Sequence, residues 1–214
     1  MNHLPVSIVV ATRNREELEN ACLLGADFIE IRLDLLTPPH LTPEMLDSKK
    51  LPPLIITLRS RSEGGGFSGT TEEWRKILDP WVERAVYIDV EAAYHRYVGD
   101  LRSQGRKVIA SWHSPLMPTR EELDNRERLL RSFGDIPKIV VTPVNAADLL
   151  ALFSFTLQVE KPVCTGITGA RFRYGRALLP LFGSSLVYCH VGNPTAEGQY
   201  HIQDFRTLLG KLLE

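Results

Sequence analysis

Cysteine is scarce: Cys22, Cys164 and Cys189 are the only three in 214 residues, and none forms a CxxC pair. That excludes a disulfide framework and a zinc cluster of the usual spacing, and leaves the thiols as small buried hydrophobes. No apolar stretch approaches the roughly 18–20 residues a membrane-spanning helix needs. The opening segment, MNHLPVSIVVATRNREE, has no basic stretch before its short apolar run and no small-residue cleavage site after it. It reads as a first strand, with the cytoplasm as the default location. An excess of either charge is missing too: 25 Lys and Arg face 26 Asp and Glu, a net charge of -1. Nothing in that balance draws the chain toward nucleic acid or an anionic membrane. No linker, charge run, repeat or low-complexity segment divides the chain, so residues 1–214 read as one domain.

What is present fits a globular domain. Apolar residues make up 43% and charged residues 24%, enough for a packed core. Arginine outnumbers lysine 18 to 7, and arginine grips carboxylates and phosphates through two prongs, which fits a small anionic substrate. Eight short β-rich runs recur along the chain: 6–11, 28–33, 54–58, 86–90, 107–112, 138–142, 162–167 and 185–191. Helical segments fall between them. One runs from 12 to 24, one from Thr71 to about Arg84, and one from a Thr119–Glu122 capping box to Arg131. Asn145 opens another, 176–182 is short and apolar, and 202–213 closes the chain; 42–48 is too short and proline-flanked for assignment. Strands alternating with helices imply parallel strands buried on both faces. Eight such units predict a (β/α)8 TIM barrel rather than an open doubly wound sheet, although the chain is compact for one.

Chemistry in such a barrel sits at the carboxyl ends of the strands. Glu30, Arg32 and Asp34 alternate along strand two and so point one way, either into the barrel or into an ion pair outside it. Strand three ends in Arg59, ahead of a loop with Arg61 and Glu63; strand four ends in Asp89 and Glu91, and strand five in Trp112 and His113. A histidine there is a natural general acid/base. The other five histidines lack such company, and no His/Cys/Asp/Glu set has metal-ligand spacing. Lys138, at the start of the sixth run, reads first as a solvent-facing lysine at the wrong end of the barrel. It shares a face with Val140 and Thr142, however, and if that face is interior its amine is placed for Schiff-base chemistry. Gly64, Gly66 and Gly69 satisfy GxGxxG with Asp89 twenty residues on. Five residues separate the strand from the first glycine, so a loop turning over a pocket is preferred to a dinucleotide site.

EIRLD (30–34), TLRSRSEGGGF (57–67), IDVE (88–91), SWH (111–113), PKIVVTP (137–143), RALLPLFGS (176–184) and PTAEGQ (194–199) resemble, in order and across nearly the whole chain, the successive blocks of type I 3-dehydroquinate dehydratase. The resemblance implies a barrel that dehydrates 3-dehydroquinate to 3-dehydroshikimate, the third step of the shikimate pathway, without metal or cofactor. It places Lys138 as the Schiff-base lysine, His113 as the general acid/base and Glu63 as the acid that orients the histidine. It gives Arg176 the substrate carboxylate; Glu30, Arg32 and Arg59 the ring hydroxyls and charge network; Asp89 a supporting role; and Thr195 and Gln199 places in a lid after strand eight. It also implies a homodimer, and in some organisms a fusion to shikimate dehydrogenase. The chain departs from the family pattern at Gly175, where a serine is usual, at Thr195, and at Glu197 in place of a proline. Rival readings are a Schiff-base aldolase, which shares the lysine without needing the Glu63–His113 pair, a nicotinamide-dependent oxidoreductase, and a barrel that binds without turnover.

Overall fold

The computed structural model describes residues 6–38, 40–46 and 51–214. Eight parallel strands run in the order β7-β6-β5-β4-β3-β2-β1-β8. They are β1 (Ser7–Thr12), β2 (Phe28–Arg32), β3 (Leu54–Thr57), β4 (Ala85–Glu91), β5 (Lys107–His113), β6 (Ile136–Val141), β7 (Cys164–Ile167) and β8 (Leu186–Cys189). The α-helices are α1 (Arg15–Leu23), α2 (Thr71–Leu78), α3 (Val98–Ser103), α4 (Arg120–Arg131), α5 (Ala146–Gln158), α6 (Tyr174–Leu178) and α7 (Ile202–Leu213). None of the described helices is long and apolar enough to cross a membrane. The strands form a nearly closed TIM barrel whose seam, between β7 and β8, is joined differently from the other edges. There Thr165 N–H donates to Ser184 Oγ at 3.0 Å, and Ser185 N–H to the Val163 carbonyl at 2.8 Å.

Strand alternation sorts the side chains into two cores. Outward residues such as Ile31, Ile56, Ile88, Val108, Ile139 and Ile167 are buried under the helices. Inward, Val9, Ile55, Ile109, Ile136, Cys164 and Leu186 pack into an apolar plug across the amino-terminal end of the barrel. Polar inward residues sit above this plug, toward the carboxyl ends of the strands.

Local rules account for most element boundaries. Thr70, Thr119 and Asn145 each cap a helix and close a reciprocal capping box with Glu73, Glu122 and Asp148. The helix expected to reach Arg84 stops at Leu78, because Pro80 turns the chain into a 3-10 segment over Asp79–Arg84. The sequence offered no strong signal for α3. Among the described residues, the β2–β3 crossover holds only 3-10 turns, Leu33–Leu35 and Pro43–Leu46; Asp47 and Ser48, at the end of the unassigned stretch, lie outside them. Strand β6 begins at Ile136, two residues before the sequence run, and accepts Pro137 near its start. Lys138 is therefore its third residue, above the plug and not at the open floor.

Candidate active site

A cavity of about 570 Å³ opens at the carboxyl ends of the strands. Its lining includes Glu30, Arg32, Arg59, Glu63, His113, Lys138, Arg176, Thr195 and Gln199, nine residues from six segments of the chain brought to one volume. Asp89 lies just beneath it, hydrogen-bonded to Lys138.

Lys138 faces inward, paired in register with Ser111 on β5 and Cys164 on β7. It is 4% exposed, so its amine is cut off from bulk water. The Nζ donates to Asp89 Oδ2 at 3.0 Å, lies 4.0 Å from Glu30 Oε1, and sits 4.1 Å from the centre of the Tyr188 ring. The solvent-facing reading of Lys138 is thus corrected: the strand starts earlier, which lifts the side chain off the barrel floor.

Arg59 organises the acids around that amine. Its guanidinium donates to Asp89 at 2.7 Å, to Glu91 and Ser111 at 2.9 Å, and to Glu63 at 3.2 Å. Burial alone would raise the Asp89 carboxyl, but the charges of Arg59 and Lys138 and the Ser111 hydroxyl outweigh it and hold Asp89 at about 2. Burial pushes Glu63 up to about 8, against the pull of Arg59. Glu63 Oε2 lies 3.0 Å from His113 Nδ1 and accepts the His113 backbone N–H at 3.1 Å. Burial, together with the charges of Arg59, Lys138 and Arg32, drives His113 well below its ordinary value and keeps the imidazole neutral. Above about pH 8, where Glu63 is ionised, a neutral imidazole with Nδ1 tied to that carboxylate leaves its Nε2 available as a base.

Arg176, on α6, is a different kind of cation. It is buried, and its Nη2 donates to the Glu197 carbonyl at 3.2 Å, while its Nε has no partner among the described residues. Burial lowers it to about 10. A buried guanidinium without a carboxylate is costly unless an anion arrives to meet it.

The loop after β8 covers this side of the cavity. The Gln199 side chain accepts the Thr195 N–H at 2.8 Å and donates to Thr195 Oγ1 at 3.1 Å, which folds the loop on itself. Gly198 takes a left-handed φ of +83, and a Cβ there would lie 2.6 Å from the Gly169 carbonyl. Glu197 contributes its backbone carbonyl to Arg176, an interaction that does not depend on its side chain.

One sequence reading changes. Glu30 and Arg32 point into the barrel, while Asp34 lies past the end of β2 in the Leu33–Leu35 turn and folds back onto Arg32. The ion pair is real, yet Arg32 still lines the cavity. The first glycines of the GxGxxG loop spend their N–H groups within the protein. The Gly64, Gly65 and Gly66 N–H groups donate to Arg61 O, Ser60 O and Asp34 Oδ2, and a Cβ on Gly65 would overlap the Arg59 carbonyl. Thr57, Ser111 and Tyr188 were not singled out from the sequence. Thr57 Oγ1 donates to Glu30 at 2.7 Å, Ser111 bridges Arg59 and Asp89, and the Tyr188 ring meets Lys138. Strand alternation alone marks Thr57, two residues before Arg59, and Ser111, two before His113.

The model of the family described as Type I 3-dehydroquinase matches residues 4–213. The chain belongs to that family. The chain is 43% identical over 209 residues to the 3-dehydroquinate dehydratase of Methanoregula boonei, covering 97% of this chain and 100% of the relative. It is 33% identical to that of Methanospirillum hungatei, covering 95% of this chain and 80% of the relative. Among solved structures, the type I 3-dehydroquinate dehydratase of Clostridium difficile, carrying covalently modified comenic acid, superposes with a TM-score of 0.84 at 24% identity, over 97% of this chain and 92% of that one. A fission yeast structure of dehydroquinate dehydratase and shikimate dehydrogenase superposes at 0.69 and 22% identity, over 96% of this chain and 45% of that one.

Proposed function

We propose that this 3-dehydroquinase dehydrates 3-dehydroquinate to 3-dehydroshikimate by syn elimination through a Schiff base on Lys138, with residues 1–214 acting as one catalytic barrel. The observation that carries the reading is the buried Lys138 amine at the bottom of the same cavity as the Glu63–His113 pair.

Arg176, lacking a carboxylate partner among the described residues, takes the substrate carboxylate and fixes the ring over Lys138. Glu30 and Arg32 hold ring hydroxyls, while Arg59 and Asp89 keep the acids and the amine in place. Once the Lys138 ammonium has released a proton, its amine attacks the ketone carbon; the carbonyl oxygen takes up that proton and a second from the same nitrogen and leaves as water, giving an iminium. That cation draws electron density from the neighbouring carbon and acidifies its C–H. His113 takes the proton, then returns it to the hydroxyl departing from the next carbon. Because one imidazole performs both transfers, proton and hydroxyl leave from the same face. Water then hydrolyses the imine and frees Lys138. Thr195 and Gln199 belong to the lid, whose closure delays that water until elimination is complete. Neither transfer calls on a metal or cofactor. A cytoplasmic homodimer working beside shikimate dehydrogenase completes the reading, and the association is supported by the yeast structure that unites the two activities.

Borohydride reduction of the enzyme with 3-dehydroquinate, followed by peptide mass mapping, tests the imine. A substrate-derived adduct on Lys138 is expected, and an adduct elsewhere, or none, defeats the reading. An aldolase would be trapped only with a different carbonyl substrate, and NAD(P)H fluorescence titration is expected to show no binding.

Glu63 must be ionised to stabilise the imidazolium that forms when His113 takes a proton. Since burial holds its carboxyl at about 8, the competent fraction falls as pH drops through that value. The kcat/KM profile, which reports groups of the free enzyme, is expected to show an acid limb there that vanishes in Glu63→Gln. A wild-type profile that is flat from about pH 6 to 9 removes Glu63 from the pair.

A further inference from the structure

Asp34 does not line the cavity, yet its side chain is closed to solvent and collects four donors from three places in the chain. Arg32 gives Nε at 3.0 Å and Nη2 at 2.8 Å, while the backbone N–H groups of Arg59 and Gly66 reach it at 3.2 and 3.0 Å. Burial alone would raise its carboxyl, but the Arg32 hydrogen bond and charge and the two N–H groups outweigh it, so Asp34 is ionised and accepts from all four. These donors belong to two parts of the site. Arg32 stands on β2 and faces the cavity. Arg59 and Gly66 bracket the 3-10 turn Arg61–Glu63, which carries the carboxylate bound to His113.

The glycine run makes the approach possible. A Cβ on Gly66 would stand 2.5 Å from the Asp34 carbonyl, and Gly65 is equally closed in by Arg59. These glycines serve close backbone contact rather than phosphate binding. Charge-assisted hydrogen bonds to a buried carboxylate are short, directional and costly to break.

We propose that Asp34 is a positioning residue that clasps Arg32 and the Glu63-bearing turn into one unit, so that alignment of the substrate-binding arginine and of the histidine's carboxylate depends on a single buried side chain. This rests on the roles given above to Arg32 and Glu63. It predicts a catalytic defect from a residue outside the cavity, and the same defect from either half of the clasp.

The test compares Asp34→Asn, which weakens the acceptor, with Gly66→Ala, which leaves the carboxylate intact and pushes the loop off it. In both variants the turn loosens and water reaches Glu63, so its carboxyl falls toward the ordinary range. KM for 3-dehydroquinate is expected to rise about tenfold and kcat to fall about tenfold, the scale of one lost charge-assisted hydrogen bond. The acid limb of kcat/KM should move to lower pH from its wild-type position near 8. Unfolding midpoints measured in parallel separate misalignment from collapse. A KM effect alone, an unmoved limb, or normal kcat per folded molecule overturns the clasp. If wild type shows no limb that Glu63→Gln removes, the role of Glu63 fails and the clasp with it. If that limb exists and neither variant shifts it, only the clasp fails.

Discussion

Lys138→Met is expected to abolish the borohydride adduct and reduce turnover on the order of 10⁶-fold, the scale seen when a covalent nucleophile is removed. Methionine preserves the unbranched stem and fills the space above the apolar plug, so the variant tests chemistry rather than packing. The acids it leaves behind are not stranded: Asp89 keeps Arg59 at 2.7 Å and the Ser111 hydroxyl, and Glu30 keeps Thr57. Breaking a buried pair typically costs about 3–5 kcal/mol when it leaves a charge alone, and the remaining partners hold the loss below that. Without the amine there is no iminium, and without the iminium a neutral imidazole is far too weak a base for the C–H beside a ketone. Steady-state dehydration assays and mass mapping decide it; a variant within about 100-fold of wild type would show that Lys138 is a structural cation.

His113→Ala should separate the two halves of the chemistry. The lysine and its neighbours Asp89, Glu30 and Tyr188 are untouched, so 3-dehydroquinate still condenses and borohydride still traps it on Lys138. Elimination then lacks the group that takes one proton and delivers another. A positioned general base supplies about 10²–10⁴-fold, and a residue that serves two transfers reaches the upper end of that range or beyond. The expected result is an adduct yield near that of wild type with turnover reduced by several orders of magnitude. Turnover within tenfold of wild type excludes His113 from both transfers, and loss of the adduct assigns it to imine formation instead. The double variant with Lys138→Met should be no slower than Lys138→Met alone, because both residues serve one sequence of steps.

The barrel was largely legible because its signals are local. Runs of Val and Ile buried on both faces mark parallel strands, and Thr119, Thr70 and Asn145 announce helices through caps that need only a few residues. Weaker signals left α3 unassigned, and the proline before Lys138 hid the true start of β6. At the site, alternation brought out Glu30, Arg32 and Asp89, and a strand end brought out His113, while Thr57 and Ser111 stay hidden because a single hydroxyl in a strand looks like any core threonine or serine. Asp34 shows the limit of that rule. Alternation aligned it with Arg32, but the chain turns at Leu33, and the side chain folds back as a clasp.

By itself the sequence determined that this chain forms a parallel eight-stranded barrel and that its ionisable residues gather at one end, since period-two burial and capping act over a few residues. Only the tertiary structure decided which charges meet. It placed Lys138 above the plug, beside Asp89, and joined Glu63 to His113 across 50 positions of sequence. It left Arg176 without a carboxylate among the described residues and spent the N–H groups of Gly64, Gly65 and Gly66 on Asp34 and neighbouring carbonyls. Such pairings depend on strand register and barrel closure, and one residue of slip would turn each of these strand side chains to the opposite face.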